Sequence, residues 1–232
     1  MESILDIELT YKDDENQIIK ILNGENQEDT VNASIINFVN ANKNKCVLII
    51  DSKEYPLLEY FKFATLGEHT VILRIKQKLN DIRGIFFGCS KLTSIKNIEN
   101  LDISDIVSFE YMFYGCTSLK FIGDISKWDT SNIVDMVCMF MNCENLTELP
   151  NIEIWNTSRV VYMDDMFYGC LRLKTPDISR WNMKKLKSKF DMFEKCGCLV
   201  GKENGDNKYD NNDNDGKIEI TTKNLKDNII QY

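Results

Sequence analysis

The residues MFYGC occur at 112–116 and again at 166–170, and the recurrence belongs to a longer period. Aligning on Phe-x-x-Cys gives FFGCSKL, FYGCTSL, FMNCENL, FYGCLRL and FEKCGCL. Their cysteines, Cys89, Cys116, Cys143, Cys170 and Cys196, are spaced 27, 27, 27 and 26 residues apart. A second marker keeps the same register: Leu101, Trp128, Trp155 and Trp181 each stand 12 residues before the Phe of their unit, at Phe113, Phe140, Phe167 and Phe193, while Phe86 belongs to the first unit. Two independent markers at one period constrain the fold more than any other feature. A chain built this way stacks equivalent units, because one unit cannot bury its own apolar faces, and equivalent positions then form ladders.

Within a unit the apolar spacing changes. In SNIVDMVCMFMNC, Ile133, Met136, Met139 and Phe140 fall at i, i+3, i+6 and i+7, which predicts a short helix of roughly three turns capped by Ser131 or Asn132. After each Cys, the steps LTSI, LKFI, LTEL and LKTP are too short for a helix and predict a brief strand. The fold class expected is therefore α/β: a strand–helix repeat with Met, Phe and Cys filling one interior slot per layer. Gly115 and Gly169 are expected to take positive φ at the helix end.

WDTSNIVDMVCMFMNCENLTELP (128–150) and WNTSRVVYMDDMFYGCLRLKTP (155–176) resemble the BspA-like leucine-rich repeats, in their Mycoplasma-lipoprotein-type variant of unknown function, over about residues 81–199. The resemblance implies a leucine-rich-repeat solenoid that binds another protein and carries neither catalytic residues nor a cofactor. The last unit, WNMKKLKSKFDMFEKCGCL, departs from the pattern by losing the Thr-Ser pair and one residue of spacing, as a terminal capping unit does.

Residues 1–78 contain no repeat. SILDIELTY reads as a strand, QIIKIL as a partner strand across the polar turn KDDEN, EDTVNASIINFVNANKN as a helix with Val31, Ile35, Phe38 and Val39 on one face, and CVLIID and VILRIK as further strands. That order is the one found in β-grasp, or ubiquitin-like, α+β domains, and its expected role is to cap the first layer of the repeats at 79–200. From Gly201 to Tyr232 an Asn/Asp-rich tail follows, in which KIEITT is a possible edge strand.

The chemistry-bearing patterns are few. NNDNDG offers Asn211, Asp213 and Asp215 at the first three ligand positions of a calcium loop, but Thr222 stands where a bidentate Glu belongs, so no metal is expected. Cys138-x4-Cys143 and Cys196-x-Cys198 lack the second half of a zinc site. His69 has no nucleophile context, and no phosphate-binding glycine loop is present, so no cofactor and no enzyme activity are expected.

A net charge of −8 disfavours nucleic acid and anionic membranes as partners. The N-terminus lacks a secretory pattern and no run reaches transmembrane length, which predicts an intracellular protein with reduced thiols. The function expected is a non-enzymatic protein–protein interaction module, and the alternative is a structural component of a large complex. The outward residues of the strand steps are Thr93 and Ser94, Lys120 and Phe121, Thr147 and Glu148, Lys174 and Thr175. Among them Thr93, Lys120, Phe121, Glu148 and Lys174 are the candidate binding residues, with Phe121 the one aromatic on a polar stripe.

Overall fold

The structure is a computed structural model that describes residues 4–24, 37–174, 176 and 178–197. The calcium-loop residues Asn211, Asp213 and Asp215, together with Thr175, Cys198 and the tail 201–232, lie outside the described residues. So do Val31 and Ile35 of the expected helix; its described part is α1 (Phe38–Asn42), capped by Asn37, whose Oδ1 accepts the Asn40 N–H at 2.9 Å.

The N-terminal strands follow their apolar alternation. In β1 (Leu5–Asp13), Ile7, Leu9 and Tyr11 are buried; in β3 (Cys46–Ile50), Cys46, Leu48 and Ile50; in β6 (Gly67–Ile75), Val71, Leu73 and Ile75. The registers Leu9↔Val71 and Leu48↔Leu73 put these residues on one face, against Phe38 and Phe63. Short strands β2 (Ile18–Lys20), β4 (Lys53–Tyr55) and β5 (Tyr60–Lys62) complete the unit.

Between β3 and β6 the structure has two short strands, β4 on SKEY, which reads as a turn, and β5, where one short strand is expected, and the pairing differs as well. β2 pairs with β5 and not with β1, and β1 and β6 run antiparallel, whereas the first and last strands of a β-grasp sheet run parallel. The reason is that both edges of β1 are occupied. β6 takes one, and β7 (Leu92–Lys96), the strand step of the first repeat, takes the other. With β8 (Phe121–Ile122) parallel to β7, one six-stranded sheet, β4-β3-β6-β1-β7-β8, runs across the boundary near 78–80. The buried apolar residues on both sides of that boundary form one contiguous core.

In the repeat units the predicted helices are absent among the described residues, and residues such as 133–143 form consecutive tight turns. Within a unit the amides of Met112, Tyr114 and Cys116 reach back three residues, to the carbonyls of Phe109, Tyr111 and Phe113. The alternate amides cross to the next unit: Phe109 to Asp135, Tyr111 to Val137, Phe113 to Met139 and Gly115 to Met141, at 2.8–3.0 Å. An α-helix would spend those amides internally. Left-handed residues also interrupt it: Gly84, Tyr111, Cys138, Asp165 and Asp191 at one position of each unit, and Gly88, Gly115, Asn142, Gly169 and Lys195 at a second. MFYGC therefore carries its glycine where φ is near +70°, inside the turn series.

The ladders are continuous. Phe86, Phe113, Phe140, Phe167 and Phe193 stack with centroids 5.3–5.7 Å apart and planes within 14°. Three ladder thiols also donate a hydrogen bond one layer back, Cys116 to the Phe86 carbonyl, Cys143 to Phe113 and Cys170 to Phe140, at 3.0–3.1 Å. The indole N–H groups of Trp128, Trp155 and Trp181 donate likewise to the carbonyls of Ile98, Ile125 and Ile152, at 2.8–3.1 Å. Cys and Trp thus add a second hydrogen bond to carbonyls that already accept a backbone amide, such as Phe113 from Cys116 and Ile98 from Leu101, a polar role that their apolar reading did not anticipate.

The N-terminal unit behaves as the layer before the first. Cys89 donates to the carbonyl of Ile21, 3.3 Å away, and the amide of Asn23 donates to the carbonyl of Ile85.

Candidate interaction surface

Phe86, Phe113, Phe140 and Phe167 point inward with their ladder cysteines and with Trp128, Trp155 and Trp181, so the side chains left outside belong to the strand and turn faces. On the strand side, Lys120 donates its amide to the Thr93 carbonyl and Lys174 donates its amide to that of Thr147, so the steps of neighbouring units run side by side. β8 forms the edge of the main sheet. Its Ile122 faces the core, so Phe121 faces out, 53% exposed, beside the exposed Lys120.

The five candidate residues do not form one patch. Glu148 and Lys174 meet as an exposed ion pair at 3.8 Å, an interaction worth about 0–1 kcal/mol. Together with Leu149, Pro150, Asn151, Ile152 and Pro176 they line a shallow depression of about 170 Å³. Thr93 is not available for a partner: it is half-buried, and its hydroxyl donates to the Thr10 carbonyl at 3.1 Å. That contact exists because β1 covers the first strand step.

Sequence reasoning missed the prolines of the depression. Their signal was the Pro that closes the strand step in LTELP and LKTP, since proline has no N–H to give to a ladder. It also missed a small apolar cluster on the turn side, where Phe87, Tyr111 and Cys138 pack with Tyr114, Val137 and Met141.

Several polar groups have shifted ionisation. Burial raises Glu110, Asp135 and Asp165 above the usual carboxylate range, and neighbouring carboxylates add to the effect. Among the described residues no group of three or more His, Cys, Asp or Glu side chains is placed to hold a metal ion. His69 stacks on Phe63 with centroids 4.0 Å apart, and its Nε2 lies 2.8 Å from the Thr65 carbonyl.

A family model described as a Mycoplasma protein of unknown function, DUF285, matches residues 80–205, more than half of the chain. The chain belongs to this family. The DUF285 match begins at the first turn series, whose amides from Gly84, Phe86 and Gly88 open the interlayer hydrogen bonding. It leaves out β1 to β6, so the strands that cap the DUF285 repeats lie outside the match. No curated protein and no solved structure matches the chain. Among the described residues no helix is long and apolar enough to cross a membrane.

Proposed function

We propose that this DUF285 protein is a non-enzymatic binding module. Its repeats form a leucine-rich-repeat solenoid of the BspA-like type, and the N-terminal strands close the first layer. Its partner is another protein, engaged on the strand side around Phe121. Phe121 carries the reading: it is a large apolar side chain left out on the edge strand while Phe86, Phe113, Phe140 and Phe167 of the ladder are buried. The exposed edge of β8 and the Lys120 side chain beside it supply polar contacts of the kind that surround a hot spot. An intracellular setting is supported by the thiols, since Cys46, Cys89, Cys116, Cys138, Cys143 and Cys170 are free and buried.

The test is quantitative affinity capture from native extract with the full chain as bait. Lys120→Ala/Phe121→Ala is expected to lower retention of the specific partner at least about tenfold, the loss of one hot spot of about 2 kcal/mol. Its far-UV circular dichroism and melting temperature should match those of the parent chain, because both side chains are exposed. Equal retention by the variant and the parent would refute the strand-side reading.

A further inference from the structure

The interlayer hydrogen bonds have a direction. Each unit gives amides forward and receives them on its carbonyls, as when Met163, Asp165, Phe167 and Gly169 donate to the carbonyls of Ser188, Phe190, Met192 and Glu194. In the last described unit the equivalent donors are the amides of Lys189, Asp191, Phe193 and Lys195. Among the described residues none of the four has an acceptor. Phe193 is covered by Phe167 on one ring face and by no described aromatic on the other, and Phe190 is 56% exposed.

This end is also basic. Residues 180–197 hold six basic side chains, Arg180, Lys184, Lys185, Lys187, Lys189 and Lys195, against Asp191 and Glu194, a net of +4 in a chain whose total is −8. Lys184, Lys185, Lys187 and Lys189 are exposed and make no ion pair among the described residues.

We infer that the open C-terminal layer is a docking surface for an acidic, acceptor-rich segment, and that its occupant is residues 203–216 of the same chain. Those residues carry Glu203, Asp206, Asp210, Asp213 and Asp215 against Lys208, a net of −4 that complements the +4 of the layer. The described part of the last unit ends at Gly197, six residues before Glu203, so the segment is tethered close to the surface and acts at high effective concentration. Carboxylates already serve as acceptors in this fold: Asp164 Oδ1 takes the Phe190 amide at 2.7 Å, and Asp135 Oδ1 takes that of Val137 at 2.9 Å. A second copy docked symmetrically is disfavoured, because two such ends would set donors against donors.

The experiment is residue-resolved amide hydrogen exchange on the full chain at Lys189, Asp191, Phe193 and Lys195. It compares the parent with two variants, Glu203→Gln/Asp206→Asn/Asp210→Asn/Asp213→Asn/Asp215→Asn and Lys184→Gln/Lys185→Gln/Lys187→Gln. The parent is expected to protect these amides, and each variant, or about 1 M salt, where the screening length falls to about 3 Å, should cut protection about tenfold or more. Unprotected amides in the parent would overturn the inference by showing an empty surface. Protection unmoved by charge substitution would overturn it by showing another occupant, and dependence of that protection on chain concentration would identify a second copy.

Discussion

Raising the pH above about 9 is expected to destabilise this protein steeply, because thiols are buried in its ladder, in β3 and in the turn-side cluster. Burial is the leading cause that pushes Cys46, Cys89 and Cys138 up to about 12 from an ordinary 9.0, and it also raises Cys116, Cys143 and Cys170. The unfolded chain loses its thiol protons from 9.0 upward while the folded chain holds them until about 12. The stability carried by these neutral thiols is therefore intact below 9.0 and is lost as pH rises toward 12.

Each thiol costs about 1.4 kcal/mol per pH unit in that window, so six together cost about 8 kcal/mol per unit, comparable with the whole stability of a domain. Tyr11, buried with its hydroxyl donating to Ile21, acts in the same direction at higher pH. Urea midpoints read from tryptophan fluorescence at about pH 8, 9 and 10 measure the slope. The double variant Cys143→Ala/Cys170→Ala should show a shallower one. A midpoint flat across that range would mean that the thiols are not shielded from water.

Phe140→Ala is expected to be the most damaging single substitution in the repeats, at about 3–5 kcal/mol. The Phe140 ring is fully buried between Phe113 at 5.3 Å and Phe167 at 5.7 Å, so its removal opens a cavity with stacked partners on both sides. Phe193→Ala truncates the same ladder at its end, where the ring is only half-buried and has one stacked neighbour, and should cost about 1–2 kcal/mol. Equal losses in urea denaturation would show that the ladder does not act as a continuous stack.

The inward residues were legible because a ladder repeats its chemistry: Phe-x-x-Cys and Trp at one period mark the buried positions directly. The conformation between them was not. Consecutive turns that step three residues reproduce the i, i+3 spacing of a helix face, so Ile133, Met136 and Met139 read the same in either form. Gly88, Gly115, Asn142 and Gly169 carried a visible left-handed signal, whereas Tyr111, Cys138 and Asp165 occupy the same region without one.

Non-local pairing was hidden for a different reason. The polar turn after β1 suggested a hairpin with β2, and nothing local revealed that β7, more than seventy residues later, would claim that edge. The same pairing removed Thr93 from the interaction surface. The period alone sufficed to bring Glu148 and Lys174 together, since they occupy adjacent layers.

The N-terminal strands and the repeats share one sheet and one core, so they are expected to open together. Hydrogen exchange across a urea titration of the full chain tests this most directly, with β1 and β6 reporting on the N-terminal strands and residues 109–115 and 136–142 on the layers. A single shared transition at all four is expected, because β1–β7 pairing and the Cys89 hydrogen bond join them. Separate transitions, with β1 and β6 opening while the layers stay protected, would contradict it.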